Sequence, residues 1–245
     1  MILCLFLHAK LKFWTISYKI WSLTDFECVE TLIGHTGSVQ SIVLLPDDVQ
    51  REIIASSSSD CTIKLWETKL DEDEDEWFVC ERTLTGHTSS VLKLVLLPGK
   101  QLMASGSQDK TIRFWDLATY GCVRVLTGNI GILRDIVILE NQRMASLTWD
   151  SVQIWDLSIY ECLGTLTTEY IKTLLPLPGN KLATGDDDQG TDIKIWDLSN
   201  FKCVHTLRGH ENSIAQLMLL PENTIQSVSI DGTLKIWNWF FKLLF

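Results

Sequence analysis

Thr62-Ile63-Lys64-Leu65-Trp66, Thr111-Ile112-Arg113-Phe114-Trp115 and Ile193-Lys194-Ile195-Trp196 are copies of one pattern, apolar and polar residues in alternation closed by tryptophan. Tyr18-Lys19-Ile20-Trp21, Val152-Gln153-Ile154-Trp155 and Leu234-Lys235-Ile236-Trp237 complete the set. A period of two belongs to a half-buried strand, and no helical period competes with it. The six tryptophans stand at 21, 66, 115, 155, 196 and 237, at spacings of 45, 49, 40, 41 and 41. Recurrence at a nearly fixed interval makes the chain an array of like units.

The remainder of each unit falls into phase with its tryptophan. A small-residue strand lies about eleven residues earlier: Ala55-Ser56-Ser57-Ser58, Ala104-Ser105-Gly106-Ser107, Ala145-Ser146-Leu147-Thr148 and Ala183-Thr184-Gly185-Asp186. Apolar strands such as Val43-Leu44-Leu45 and Val95-Leu96-Leu97 precede it and end in turns. All five prolines sit at such turns, where a missing N–H costs nothing. After the tryptophan comes a fourth strand, with Cys28, Cys80, Cys122, Cys162 and Cys203 each four residues before a leucine. Four short strands in about 41 residues cannot bury both faces alone. Radial stacking of several such sheets does.

Trp115-Asp116, Trp155-Asp156 and Trp196-Asp197, with Gly34-His35, Gly86-His87 and Gly209-His210, resemble the WD-repeat (β-transducin repeat) family. The resemblance implies an all-β fold, a β-propeller of about six four-stranded blades within a single domain, 1–245. Residues 1–33 form a degenerate first blade, and 239–245 are the segment available for the last outer strand. A chain drawn from a seven-bladed ring is the alternative. Several copies depart from the pattern: Trp21-Ser22 and Trp237-Asn238 lack the acidic residue, and Gly128-Asn129 and Thr168-Glu169 replace Gly-His.

Composition excludes several function classes. Of 245 residues, 46% are hydrophobic and 21% charged, which suits a folded protein rather than a disordered one. A net charge of −10 lacks the basic footprint of nucleic-acid binding and of a polybasic membrane anchor. No apolar run reaches membrane-spanning length. Met1 to His8 lacks a basic start and a small-residue cleavage site, so it reads as a strand and the compartment as intracellular, cytoplasmic or nuclear. The seven cysteines show no Cys-x-x-Cys spacing, and five follow the repeat as small hydrophobes of the outer strand. Neither metal nor cofactor is expected.

Serine, histidine and aspartate recur together, which invites a catalytic-triad reading. A triad has no reason to recur at equal phase in three blades. The family resemblance implies instead a buried structural tetrad linking the strands of each blade. Its members are His35, Asp60 and Trp66; His87, Asp109 and Trp115; and His210, Asp231 and Trp237, each set with a serine. The serine is Ser56 or Ser58, Ser105 or Ser107, and Ser227 or Ser229; the later of each pair, Ser58, Ser107 and Ser229, is the assignment. Asp186-Asp187-Asp188-Gln189-Gly190 departs from a calcium loop, having glycine at the fifth position and no closing glutamate, and reads as an acidic turn.

Two features point to partners. Asp71-Glu72-Asp73-Glu74-Asp75-Glu76 is an inserted loop that accounts for six units of the negative charge. It is either a solvated face or a docking site for a basic peptide. Trp149 stands in the turn before the third strand, where other repeats carry Ser59, Gln108 and Ile230. It is either an interface anchor or packed within a degenerate blade. The face bearing these turns and the Gly-His loops, with Thr36, Thr88, Asp187 and Glu211, is the expected partner-binding surface. The reading is therefore a non-catalytic protein-interaction scaffold with protein or peptide partners, a basic partner favoured. The alternatives are a substrate-recognition piece of a larger complex subunit, such as a ubiquitin-ligase receptor, and a truncated repeat fragment.

Overall fold

Each tryptophan-closed run is a strand of its own antiparallel sheet. A computed structural model describes residues 3–4, 17–22, 24, 26–46, 53–70, 76–129, 131–149, 151–167, 170–187 and 190–239. It contains six sheets whose strands follow chain order. The first holds β1 (Leu3–Cys4), β2 (Ser17–Ser22) and β3 (Cys28–Ile33). The second holds β4 (Val39–Leu45), β5 (Ile53–Ser58), β6 (Ile63–Leu70) and β7 (Glu76–Leu84). The third holds β8 (Val91–Leu96), β9 (Leu102–Ser107), β10 (Ile112–Asp116) and β11 (Cys122–Leu126). The fourth is β12 (Asp135–Leu139), β13 (Arg143–Leu147), β14 (Ser151–Asp156) and β15 (Glu161–Thr167). The fifth is β16 (Ile171–Leu177), β17 (Lys181–Asp186), β18 (Ile193–Asp197) and β19 (Lys202–Leu207). The sixth has three described strands, β20 (Ile214–Leu220), β21 (Thr224–Ser229) and β22 (Leu234–Asn238). The fold is all-β, built from sheets of the propeller-blade type. Of the expected last outer strand, Trp239 is described and buried in the core of its unit. Residues 240–245 lie outside the described residues.

Two compact units divide the chain, Met1–Val125 and Leu126–Phe245. In the first, Ile63 and Leu65 of β6 pack with Val91 and Leu94 of β8, and all four are at most 2% exposed. In the second, Val152 and Ile154 meet Ile171 and Leu174, and Ile193 and Ile195 meet Ile214 and Leu217. The first-strand pairs are three residues apart, a spacing that strict alternation forbids. A register shift between Val91 and Lys93, repeated at Ile171/Thr173 and Ile214/Gln216, accounts for it. An extra residue in one strand turns the following side chains to the other face.

Small residues fill the second strand because neighbouring sheets press on both sides of it. In β5, Ile54 packs toward Ile20 of the first sheet, and Ala55 belongs to the cluster shared with the third. A Cβ added at Gly185 of β17 would lie 2.8 Å from Cβ of Ile214, closer than real Cβ contacts come.

The repeated cysteines stand in the outer strands, as expected, but not as packed hydrophobes. The sequence reading is corrected here: Cys28, Cys80, Cys122, Cys162 and Cys203 are all exposed. A second register shift, at the tryptophan, sets Cys80 opposite Trp66 and Cys162 opposite Trp155. There each thiol donates to the carbonyl two residues on, for example Cys203 to His205 at 3.3 Å.

Candidate functional site

Buried polar groups need partners, and in sheets two, three and six a histidine supplies them across three strands. His35 Nδ1 lies 2.8 Å from Oδ2 of Asp60, and its Nε2 lies 2.9 Å from Oγ of Ser56. The same serine oxygen accepts the indole N–H of Trp66 at 2.8 Å. His87 repeats this with Asp109, Ser105 and Trp115, and His210 with Asp231, Ser227 and Trp237. One neutral tautomer satisfies each set, with Nδ1–H donating to the carboxylate and Nε2 accepting from the serine hydroxyl.

The serine assignment is thereby corrected. Ser58, Ser107 and Ser229 are not members of the tetrads. Ser56 and Ser58 share one face of β5, but only Ser56 stands within reach of the Trp66 indole, whose backbone pairs with Ile54. Ser58 lies at the strand end, where its oxygen accepts the Asp60 N–H at 3.1 Å. Ser107 and Ser229 accept the equivalent N–H groups of Asp109 and Asp231 and donate to the carbonyls of Ser89 and Asn212.

A threonine two residues after each aspartate completes the network, and sequence reasoning passed over it. Thr62 donates its hydroxyl to Asp60 at 2.6 Å and its N–H at 2.9 Å, and Thr36 donates its own N–H at 2.9 Å. Thr111 and Thr233 do the same for Asp109 and Asp231. The recurring Asp-x-Thr in the sequence was the available signal. Burial opposes ionisation of Asp60 and Asp109, but these donors outweigh it and hold both carboxyls at about 2. Burial also lowers His35 and His87 below the ordinary imidazole value, against the raising influence of their aspartates. The glycine before each histidine has a packing reason. A Cβ at Gly34 would stand 3.1 Å from the tip of the Trp66 indole, and one at Gly209 would stand 3.2 Å from that of Trp237.

Sheets four and five are built differently. Asn129 replaces the histidine and accepts the Ser146 hydroxyl at 2.9 Å, and Ser146 in turn accepts Trp155 N–H at 2.8 Å. Thr184 accepts Trp196 N–H at 3.0 Å in sheet five. Neither of these two linkages contains an ionisable group.

The expected contact residues lie where the second–third strand turns meet the loops entering the first strands. Backbone bonds tie the two segments together: Ser59 N–H to Ser38 O at 2.9 Å, Gln108 to Ser90 at 2.9 Å, and Ile230 to Ser213 at 3.0 Å. In the first unit, Thr36, Thr88 and Gln108 are exposed and Ser59 is half-buried. In the second unit, Glu211 is exposed, Ile230 is 54% exposed and Trp149 48%. Asp187 is the exception and a correction. It is buried, with its carboxylate 3.3 Å from Nη1 of Arg134 and 3.4 Å from Nζ of Lys172. Arg134 also donates to the Ile171 carbonyl at 3.1 Å, and its guanidinium stacks 3.9 Å from the centroid of the Trp149 ring. Trp149 is thus packed and exposed at once, with Arg134 against its ring and nearly half its surface in solvent. Asp71 to Asp75 of the acidic run lie outside the described residues, and Glu76 begins β7.

The family profile described as "WD domain, G-beta repeat" matches residues 26–67, 78–116 and 201–238. The chain carries WD repeats. The three matched WD repeats are the three with histidine tetrads; the asparagine and threonine variants fall between them. Among curated relatives, nuclear distribution protein PAC1 of Arthroderma benhamiae is 31% identical over 90% of this chain and 54% of its own length. Nuclear distribution protein nudF 1 of Talaromyces marneffei is 38% identical over 48% of the chain and 24% of its own length. WD repeat-containing protein pop1 of Schizosaccharomyces pombe is 31% identical over 49% of the chain and 20% of its own length. This WD-repeat chain thus spans about half or less of the curated relatives it matches.

Proposed function

We propose that this chain is a non-catalytic adaptor that binds protein partners through the loops at one end of its sheets. The observation carrying this reading is Trp149. A large aromatic ring, half in solvent, is held by a guanidinium that Asp187 and a backbone carbonyl fix in turn. Such an anchor is already ordered, so a partner meets little further entropic cost at that ring. Tyr170, whose carbonyl accepts the Asp187 N–H, is a second exposed aromatic. The acidic run Asp71 to Glu76 attracts basic segments over longer range and gives that attraction a salt dependence.

Burial of the serines supports the absence of catalysis. Asp60, His35 and Ser56 stand in triad-like order, yet Ser56 is 1% exposed and its oxygen already accepts an indole N–H. A nucleophile needs access to substrate, and this one is sealed within its blade. The names of the curated relatives support an intracellular setting, and among the described residues no helix is long and apolar enough to cross a membrane. The charge balance supports protein rather than nucleic-acid partners.

Affinity capture with intact protein and with Trp149→Ala, followed by identification of what is retained, tests the reading. Loss of a central aromatic anchor is expected to weaken partner recovery by about tenfold or more. Equal recovery with both proteins removes Trp149 and its face from the proposal.

A further inference from the structure

Sheets five and six present corresponding faces to different surroundings. On sheet five, Ala183, Ile193 and Ile195 are covered by Ile214 and Leu217 of sheet six, and all three are 0% exposed. Sheet six carries Gln226, Leu234 and Ile236 at the equivalent places of its own strand pair, and there Leu234 is 55% exposed and Ile236 63%. Residues paired directly across antiparallel strands share a face. Met218, Gln226 and Ile236 therefore form one row across β20, β21 and β22, and Val228 and Leu234 belong to the next. Met218 and Val228 are exposed as well. The remaining positions of this face, Gln216, Leu220, Thr224 and Asn238, add no charge.

Charge selects nothing on such a face, and the amide at its centre does. Gln226 stands on the middle strand, where sheets two to five carry Ala55, Ala104, Ala145 and Ala183, none of them exposed. Its side chain has no hydrogen-bond partner among the described residues. A sheet docked as sheet six docks on sheet five would lay isoleucine and leucine over that amide and leave it unsatisfied. An amide both donates and accepts, so it is its own complement. A two-fold axis through Gln226 sets each amide against its mate, N–H to carbonyl in both directions, and brings each copy's apolar rows together over the same patch. We propose that this face of sheet six is a homodimer interface and that its occupant is a second copy of this chain, joined about Gln226. The face supplies fewer residues than the roughly 20–30 a side of a standard interface, so dissociation falls in the micromolar range. A dimer so built offers two Trp149 anchors to a partner, which raises avidity without any new contact.

Sedimentation velocity of the intact chain between about 1 and about 200 μM decides it. The average mass is expected to rise from that of one chain to that of two and no further. Ile236→Lys brings two cations together across the axis and should keep the protein monomeric throughout. Gln226→Glu sets two carboxylates face to face and should weaken the dimer about tenfold or more at neutral pH. Val204→Lys, a like change at an exposed position of the outer strand β19, should leave the mass unaltered and is the control. Gln226→Cys, oxidised with diamide, should join two copies by a disulfide between the substituted positions, as read by peptide mapping. Should Ile236→Lys fail to fold, as read by its unfolding midpoint, Gln226→Glu carries the same test. A monomer at every concentration, growth beyond two copies, an undiminished dimer in the folded charge variant, or no link between the substituted positions overturns the proposal.

Discussion

Sheet three and sheet four solve the same problem with different chemistry. Both must satisfy a buried indole N–H, that of Trp115 or Trp155, and both offer it a serine hydroxyl at 2.8 Å. In sheet three the serine leads on to His87, Asp109 and Thr111, a chain that ends in a carboxylate surrounded by donors. In sheet four it leads to the neutral amide of Asn129, while Thr148 and Ser151 bond to one another near the turn. The serine–indole bond is the part both sheets keep. The ionisable extension ties the entry loop and the turn to the strands, and sheet four forgoes it in the same turn that carries the exposed Trp149.

The largest expected effect bears on what the two sheets share. Trp115→Ala and Trp155→Ala should each cost about 3–5 kcal/mol in chemical denaturation, because each deletes a buried aromatic. A marked difference between them would mean that the tetrad, rather than packing, fixes the worth of the tryptophan. The next bears on what separates them. His87→Ala should cost about 1–3 kcal/mol, since it leaves Ser105 and Asp109 short of a partner. Asn129→Ala removes a neutral amide rather than an ionisable ring and should cost about 1 kcal/mol. Equal losses at the two positions would break the comparison.

The smallest effect is a pH dependence. His35 and His87 sit below the ordinary imidazole value, so the unfolded chain takes up protons first as pH falls. Stability is then fully present above about 6.5 and declines as pH falls toward their folded values, by at most about 1.4 kcal/mol per pH unit for each histidine. Asp60 and Asp109, held at about 2, add a second loss as pH falls from the ordinary carboxylate range through that value. Urea midpoints measured between pH 7.5 and 5 should therefore decline, and the double variant His35→Asn, His87→Asn should flatten that decline. An unchanged slope in the double variant would place the titration elsewhere.

Particular residues show where sequence reasoning reached and where it stopped. Trp66 and the alternation before it were legible because strand period and burial are set by near neighbours. Asp60 was legible because an aspartate recurs six residues before the tryptophan, and His35 because it completes a recurring Gly-His pair. Ser56 was not separable from Ser58: both lie on one strand face, and only cross-strand register decides which hydroxyl the indole reaches. Cys80 read as a small hydrophobe of the outer strand, and the register shift that sets it opposite Trp66 is invisible in the pattern it interrupts. Asp187 looked like a surface contact, and its burial depends on Arg134, from the segment entering β12, and Lys172 of β16.

The sequence by itself determined the strand pattern and the phase of tryptophan and aspartate, since both follow from local periodicity, and the Gly-His pairs behind the family resemblance implied the histidine of each tetrad. Only the tertiary structure decided which serine closes each tetrad, which side chains escape the core at register shifts, and that Trp149 is held by Arg134. Those outcomes rest on distances between residues on different strands and loops, and such distances are set when strands pair and sheets pack, not by the order of residues along any one strand.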